Sequence, residues 1–380
     1  MSRRRAATST RRRILARVIS IAIVLAIAGL YYLIESQETN RQAAAPPSTA
    51  EGAYALHFTT PSYPDDPARH RGGLDDRLVE LIDRAQSSID VAVYDFDLDN
   101  VASAFARASA RGVRVRVVTD SDTLGDTKNG EIQRAFNRLR AAEIPIVEDR
   151  RPAIMHHKYV VVDGEWLATG SWNFTDGDTY RLNNWMGVFH APELARAYAA
   201  DFAEMFAGRF GTAKSARPAR AEASIGNARV QACFSPDGKC GDLIAQAVRE
   251  RATSSIRFLA FSLTHDGIGQ AITDRASAGV KVSGVFETTG SQTTFSEFGR
   301  MKKAGLDVYT DGNPYTMHHK VIVLDGRTVI AGSFIFSANA ASDNDENVLV
   351  IESPEMAKAF VAEFDRVLDQ AKNPPSRKGS

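Results

Sequence analysis

The chain is poor in cysteine and carries no excess of either charge. Only two of its 380 residues are cysteines, Cys233 and Cys240, and no histidine stands beside them. A zinc site built on cysteine thiolates is therefore not expected. Lys plus Arg and Asp plus Glu number 46 each, and 44% of the residues are hydrophobic. This composition excludes a disordered or fibrous protein and predicts a globular one with enough apolar residues for two sizeable cores.

The charge is unevenly distributed along the chain. Residues 1–41 contain eight arginines and only two acidic residues, Glu35 and Glu38. The remainder holds 38 basic and 44 acidic residues, which gives a net charge near −6. Because a negative body repels a polyanion, this distribution argues against a protein that scans nucleic acid nonspecifically.

An apolar run follows the arginines. Residues 14–34 include "VISIAIVLAIAGLYYLI" and come after a basic segment at 1–13. A helix of this length extends about 30 Å, which is the thickness of a bilayer core. We interpret 14–34 as an uncleaved transmembrane signal anchor, with 1–13 in the cytoplasm and the later residues on the extracytoplasmic side. A cleaved signal peptide is the alternative, and an N-terminus near Ala45 in the mature protein would establish it.

A tether rich in Ala and Pro, residues 39–52, comes after this apolar run and cannot build a core. If the body is exported, a disulfide between Cys233 and Cys240 across the turn-rich "FSPDG" is expected, because exported proteins meet an oxidising environment. Two free thiols are the alternative.

One sequence pattern occurs twice in the body of the chain. "MHHKYVVVDGEWLATGSWNF" begins at residue 155, and "MHHKVIVLDGRTVIAGSFIF" begins 162 residues later. "SSIDVAVYDFD" and "SSIRFLAFSLT" form an earlier matching pair. The repeat predicts two similar halves, at 53–210 and 228–370. A join at 211–227 lies between them, and a short tail follows at 371–380. Within each half, helical patterns of 10–15 residues alternate with apolar runs, so we expect an α/β fold of two α-β-α layered halves with mostly parallel sheets.

The repeated block places a histidine and a lysine on one face of a strand. Residues i and i+2 of a strand share a face, so His156 lies beside Lys158, and His318 lies beside Lys320. A lysine beside an imidazole repels a metal cation, and the pair therefore suits an anion. The "GSWNF" and "GSFIF" segments add a glycine and a hydroxyl, from Ser171 or Ser333, of the kind that cradles a phosphate.

The doubled His-x-Lys-x4-Asp motif, followed by Gly-Ser-x-Asn, resembles the phospholipase D superfamily of phosphodiesterases. The catalytic residues that this resemblance implies are His156, Lys158, Asp163, His318, Lys320 and Asp325. It also implies that both motifs meet in one cleft between the halves. One histidine attacks phosphorus, the other protonates the leaving alcohol, and water hydrolyses the phosphohistidine. The lysines stabilise charge on the non-bridging oxygens, so neither a metal nor another cofactor is expected.

The two halves depart from the family pattern in different places. Asn173 matches Gly-Ser-x-Asn in the first half, whereas Ile335 stands at the matching place in the second. The position 28 residues beyond the motif histidine is Glu346 in the second half, which resembles the family's carboxylate that holds the catalytic imidazole, but it is Asn184 in the first.

A nucleophilic imidazole benefits from a carboxylate on its other nitrogen. Pairing Glu346 with His318 therefore favours His318 as nucleophile and His156 as acid, although the first-motif histidine is often the nucleophile in the family.

The expected reaction is hydrolysis of phospholipid head-group diester bonds at a phospholipid membrane, without an obligate protein partner. Three alternatives stay open on the same residues. They are a metal-independent endonuclease acting on nucleic acid, a phosphatidyl transferase similar to cardiolipin synthase, and an inactive, membrane-tethered phosphate-binding module.

Overall fold

Residues 52–215 and 217–375 are described in the computed structural model, and they form two β-sheets covered by helices. The strands are β1 (Tyr54–Phe58), β2 (Ser88–Val93), β3 (Arg114–Thr119), β4 (Ile146–Glu148), β5 (Lys158–Val162), β6 (Trp166–Gly170), β7 (Trp185–His190), β8 (Arg220–Ile225), β9 (Ala228–Phe234), β10 (Ser255–Ala260), β11 (Lys281–Phe286), β12 (Asp307–Thr310), β13 (Lys320–Leu324), β14 (Thr328–Gly332) and β15 (Asn347–Glu352). The first sheet has the order β1-β7-β6-β5-β2-β3-β4, and the second has the order β12-β11-β10-β13-β14-β15-β9-β8.

Helices connect these strands and cover the sheets. They are α1 (Leu74–Asp83), α2 (Asp99–Ala110), α3 (Ser121–Gly125), α4 (Gly130–Ala141), α5 (Asp176–Tyr180), α6 (Pro192–Phe206), α7 (Cys240–Arg251), α8 (Asp266–Ser277), α9 (Glu297–Lys303), α10 (Ala338–Ser342) and α11 (Pro354–Lys372), with 3-10 turns at Pro67–Arg69, Gly211–Ala213 and Gly290–Gln292. Apolar residues recur along one side of each longer helix, as at Val101, Phe105 and Ala108 of α2, and that side is buried.

The sheets are mixed, so the expectation of mostly parallel sheets was wrong. β2, β3 and β4 run parallel in the first sheet, as do β10, β11 and β12 in the second, but the other neighbouring strands are antiparallel. The connections explain this. β5 reaches β6 and β13 reaches β14 through short turns that contain Asp-Gly, and a short turn reverses the chain. Parallel neighbours need a crossover, which the helices supply only on one side of each sheet.

The two halves share a central hydrophobic core. It contains Tyr159 and Val161 of β5, Val321 of β13, Phe202 of α6 and Phe360 of α11, all of them buried. Two further clusters lie on the outer faces of the sheets, one in each half. The halves therefore bury apolar surface against each other as well as within themselves.

The predicted join at 211–227 contains strand β8 and two buried cations. Nζ of Lys214 lies 2.9 Å from Oδ1 of Asp201 and 2.5 Å from Oδ1 of Asp345, and Nε of Arg217 lies 2.7 Å from Oδ1 of Asp201. Asp201 belongs to the first half and Asp345 to the second. Lys214 of this segment thus links the two halves, because it forms buried ion pairs with an aspartate of each.

The structure joins Cys233, the residue before the last one of β9, to Cys240 at the start of α7 by a disulfide, as the sequence predicted. Both cysteines are buried, and their Cα atoms are 5.7 Å apart.

The predicted anchor at 14–34, the basic segment at 1–13 and most of the tether lie outside the described residues. Within the residues that are described, no helix combines the length and the apolar character needed to cross a membrane.

Candidate active site

Each His-x-Lys pair stands where a strand enters its sheet. Lys158 is the first residue of β5 and Lys320 is the first residue of β13. Nζ of Lys158 donates to the carbonyl oxygen of His156 at 2.9 Å, and Nζ of Lys320 donates to that of His318 at 2.8 Å. All four side chains are almost completely buried. The strand predicted for each motif is therefore present, but it begins at the lysine, and the histidine two residues earlier precedes it.

Backbone hydrogen bonds between the halves bring the two motifs together. The amide of His156 donates to the carbonyl oxygen of Asp345 at 2.9 Å, and the amide of His318 donates to that of Asn183 at 3.0 Å. The residue before each histidine forms a matching parallel bridge. The first motif is thus bonded to the segment before β15, and the second motif is bonded to the segment before β7. These bonds place one site at the interface between the halves.

An aromatic ring stands beside each pair. Tyr94 packs edge-on against His156, with ring centroids 5.0 Å apart, and Nζ of Lys158 lies 5.1 Å from the Tyr94 centroid. Phe261 repeats the arrangement in the second half, at 4.8 Å from the imidazole and 4.5 Å from the ammonium. The faces of these rings attract the lysine cations.

The carboxylates reach the histidines across the interface, which corrects the pairing expected from the sequence. Oε2 of Glu346 lies 3.3 Å from Nδ1 of His156, not beside His318. Nδ1 of His318 instead lies 3.0 Å from Oδ1 of Asn184 and 3.2 Å from Oδ1 of Asp178. The physical reason is the bridging described above, since the segment that carries Glu346 is hydrogen-bonded to the first motif.

Asp178 is the functional residue that the sequence reasoning missed. Its carboxylate accepts hydrogen bonds from the Asn173 amide and side chain at 3.2 and 3.3 Å, from Oγ1 of Thr175 at 3.0 Å and from Nδ2 of Asn184 at 3.0 Å. A signal was available, because the residue 162 positions later is Ala340. The first half therefore places its carboxylate on α5, and the second half places its own just before β15.

The loss of asparagine at Ile335 is compensated locally. The Ile335 amide donates to Oε2 of Glu346 at 2.8 Å, as the Asn173 amide does to Asp178. Nδ2 of Asn344 donates to Oε1 of Glu346 at 3.1 Å and so supplies the side-chain amide that Ile335 lacks. Glu346 nevertheless receives fewer donors than Asp178.

The two serines tie the last strands in place. Oγ of Ser171 donates to Oδ1 of Asn184 at 2.8 Å and accepts from the Trp185 amide at 3.2 Å. Oγ of Ser333 accepts from the Asn347 amide at 3.0 Å. Both hydroxyls are buried and bonded within the protein, so they support the site and do not line an open phosphate cradle.

The motif aspartates lie away from the histidines, and the prediction that they are catalytic was wrong. Asp163 follows the far end of β5, where its carboxylate accepts from the amides of Gln86, Ser87 and Ser88 at 2.9, 2.7 and 3.0 Å. Asp325 does the same for residues 253–255 at the far end of β13. A strand of five residues separates each aspartate from the site by roughly 17 Å. Their role is to fix the start of the neighbouring strand.

Burial dominates the titration of the site. It lowers the pKa of Lys158 to about 7, and burial together with the charge of Lys158 lowers the pKa of Lys320 well below its ordinary value. Burial and the charge of Lys320 lower the pKa of His318 to about 3. Burial raises the pKa of Glu346 to about 7, whereas the pKa of Asp178, which burial would also raise, is held at about 2 by His318 and its hydrogen bonds. The cleft disfavours positive charge, and a phosphodiester anion bound there would favour the protonated lysines.

Comparison with known protein families identifies this arrangement. A family model described as cardiolipin synthase, PLD-like domain matches residues 78–206 and 247–368, which include both motifs. The chain belongs to the phospholipase D superfamily. As a member of this superfamily it is a phospholipase D-like phosphoric diester hydrolase.

Individual proteins of known sequence or structure are similar to parts of this chain. A protein named phospholipase D from Rickettsia conorii is 33% identical over 137 residues, which is 36% of this chain and 68% of that protein. A mitochondrial cardiolipin hydrolase from Chlamydomonas reinhardtii is 31% identical over 121 residues, which is 32% of this chain and 54% of that protein. The crystal structure of phosphatidylserine synthase from Haemophilus influenzae covers 83% of this chain and 86% of that chain, with 13% identity and a TM-score of 0.59. This last likeness shows the fold alone.

Replacing Asp325 with alanine should lower stability without impairing catalysis. Although partial burial opposes it, hydrogen bonds from residues 253–255 lower the pKa of Asp325. Its contribution is therefore present above the unfolded value near 4 and is lost as the pH falls. We expect Asp325→Ala to lower the free energy of unfolding by about 1–3 kcal/mol at pH 7.

Urea unfolding and kcat on a soluble diester would be measured for this variant and for Asp266→Ala, which removes an aspartate whose side chain is 89% exposed. The control should match the wild type in both. A large fall in kcat for folded Asp325→Ala would restore this residue to the chemistry.

Proposed function

We propose that this protein hydrolyses phospholipid head-group diester bonds through a phosphohistidine intermediate. The observation that carries the proposal is the arrangement of two buried His-Lys pairs in which each imidazole faces a carboxylate from the opposite half. A histidine pair of this kind can divide a difficult displacement into two easier steps. Two lysines can stabilise the charge that develops on the phosphoryl oxygens.

The surroundings of the two imidazoles support different roles for them. Nδ1 of His318 faces two acceptors, Asn184 and the ionised Asp178, so this nitrogen carries the proton and Nε2 keeps a free lone pair. Asp178 then stabilises the cation that forms when Nε2 bonds to phosphorus. His318 is therefore the nucleophile, with Asp178 in the place that the sequence had given to Glu346.

His156 is suited to be the acid. Its Nδ1 faces Glu346, whose pKa of about 7 keeps a proton on this pair near neutral pH. A protonated Glu346 leaves the proton of the neutral imidazole on Nε2, where it can pass to the leaving oxygen while the Glu346 proton moves to Nδ1. As the phosphorus–oxygen bond breaks, the leaving alkoxide is thereby released as an alcohol. In the second step water returns its proton to the pair, and the hydroxyl displaces His318 from phosphorus.

The names of the relatives and the charge of the chain support the proposed substrate. The curated relatives are named phospholipase D and cardiolipin hydrolase. The residues after 41 carry a net charge near −6, which disfavours a polyanionic substrate. The family model's description as a cardiolipin synthase favours one second candidate, in which an alcohol instead of water attacks the phosphohistidine.

The substrate prediction can be tested on the full-length protein in mixed phospholipid vesicles and on single- and double-stranded DNA. We expect release of the head-group alcohol from lipid, no cleavage of DNA, and unchanged turnover with chelator, since Lys158 and Lys320 stabilise the charge. His318→Ala is the control for contaminating activity and should be inactive. DNA cleavage without lipid hydrolysis would contradict the substrate, and loss of turnover that one metal restores would contradict metal independence. Phosphatidyl transfer to an added alcohol in place of hydrolysis would establish the second candidate.

The roles of the histidines can be separated with a diester whose leaving group is p-nitrophenolate, which needs no protonation. His156→Ala should still form a phosphohistidine at His318, because only the acid is missing. His318→Ala should form none. Acid-sensitive adducts would be located by mass spectrometry of rapidly quenched protein. An adduct on His156 in the His318→Ala variant would reverse the assignment.

The acid should be lost as the pH rises through about 7, the pKa of Glu346. Above that pH, kcat/KM of the wild type should fall about tenfold per pH unit for a substrate that needs protonation of its leaving group. Glu346→Gln should be slower but should lack this alkaline limb, because an amide donates to Nδ1 at every pH. Asp178→Asn, the matched variant on the other imidazole, should be slower and keep the limb. An unchanged limb in Glu346→Gln would show that another group provides the proton.

A further inference from the structure

Two large hydrophobic side chains are exposed among the residues that the structure describes. Phe295 is 78% exposed and Tyr315 is 46% exposed. The Tyr315 ring stacks on that of Tyr63, with centroids 6.1 Å apart. The Phe295 side chain is presented to solvent from a loop that follows β11.

Both side chains lie in loops at the end of the second sheet where β13 begins with Lys320. Phe286, the last residue of β11, pairs with Ala260 of β10 and with Thr310 of β12, and Ala260 also pairs with Lys320. The loop that carries Phe295 and the loop that carries Tyr315 therefore leave the sheet at the edge where β13 begins with the catalytic lysine. This register places both aromatic residues on the rim of the site.

The rim differs in charge between the halves. Residues 287–296, "ETTGSQTTFS", contain one charged side chain, that of Glu287. The corresponding loop of the first half, after β3, contains Asp120, Asp122 and Asp126 with a single lysine, Lys128. A loop whose one charged residue is acidic offers no cation to a nucleic acid, and the more acidic loop of the first half repels one.

We propose that Phe295, together with Tyr315 at the same end of the sheet, enters the interface of a phospholipid bilayer and brings the active site to its lipid. This proposal rests on the proposed function and identifies the part of the protein surface that contacts the lipid substrate. Tyrosine, which combines an apolar ring with a hydroxyl, is favoured at the membrane interface, and an exposed phenylalanine ring gains free energy by leaving water. One phenylalanine and a half-exposed tyrosine provide far less than the roughly 800 Å² per partner of a stable protein interface. The predicted anchor at 14–34 would keep a bilayer within reach.

Insertion can be measured without turnover. Full-length Phe295→Trp in phosphatidylcholine vesicles with brominated acyl chains should lose indole fluorescence relative to unbrominated vesicles, after subtraction of the wild-type signal. Arg327→Trp is the matched control, because Arg327 is exposed in the turn between β13 and β14 at the opposite edge of the sheet. Equal quenching at the two positions, or stronger quenching at 327, would overturn the proposal, as would sedimentation that shows a Phe295-dependent dimer.

Activity provides an independent readout. Phe295→Ser should lower turnover of vesicle phospholipid by about tenfold, the loss expected for one apolar side chain that no longer leaves water. It should leave hydrolysis of soluble bis(p-nitrophenyl) phosphate unchanged, and Thr294→Ser, in the same loop, should change neither. Equal losses on vesicles and on the soluble diester would contradict an interfacial role. If the wild type hydrolysed no lipid, the proposed function would fail, yet quenching in the Phe295→Trp variant would still show whether the loop inserts.

Discussion

Four basic side chains share one nearly buried cleft, and the cost of burying their positive charge is the constraint on which the rest of the site depends. Each half supplies the carboxylate that faces the other half's imidazole, so the cleft is stabilised only when the halves are joined. The two carboxylates are held differently. Asp178 receives four donor groups and stays ionised, whereas Glu346 receives two, from Ile335 and Asn344, and titrates near neutrality. A duplicated motif can thereby perform two different halves of one reaction.

A second pair of histidines, one in each half, forms equivalent contacts with carboxylates behind the site. Nε2 of His157 lies 3.0 Å from Oδ2 of Asp201 on α6, and Nε2 of His319 lies 2.7 Å from Oε1 of Glu363 on α11. Each carboxylate follows its histidine by 44 residues. Because successive residues of a strand point to opposite faces, these imidazoles hold the long helices behind the sheets while His156 and His318 face the cleft. Asp201 also accepts from Lys214, so the join between the halves is bonded to the same support.

The repeat predicted two similar halves and one strand in each motif, and the structure has one sheet for each half with a strand that begins at Lys158 or Lys320. It could not predict which half supports which histidine, because spacing along the chain carries no information on bridging between copies. Asp163 and Asp325 accept backbone hydrogen bonds at the far end of each strand, which explains their place in the motif. Their closeness to the histidines along the sequence suggested a catalytic role that the structure does not support. Asp178 was visible only as a difference between the copies, Asp against Ala340. The mixed sheets follow from the Asp-Gly turns, whose chain reversal outweighs the helix–strand alternation.

The central claim is that the imidazoles are supported across the interface, and nitrogen NMR of histidine-labelled protein tests it most directly. Resonances of His156 and His318 would be assigned by substitution of each residue and followed in Asp178→Asn and Glu346→Gln. The account predicts that Asp178→Asn shifts the Nδ1 resonance of His318 and leaves His156 nearly unchanged, and that Glu346→Gln does the reverse. Coupling of Glu346 to His318, within its own half, would contradict the account.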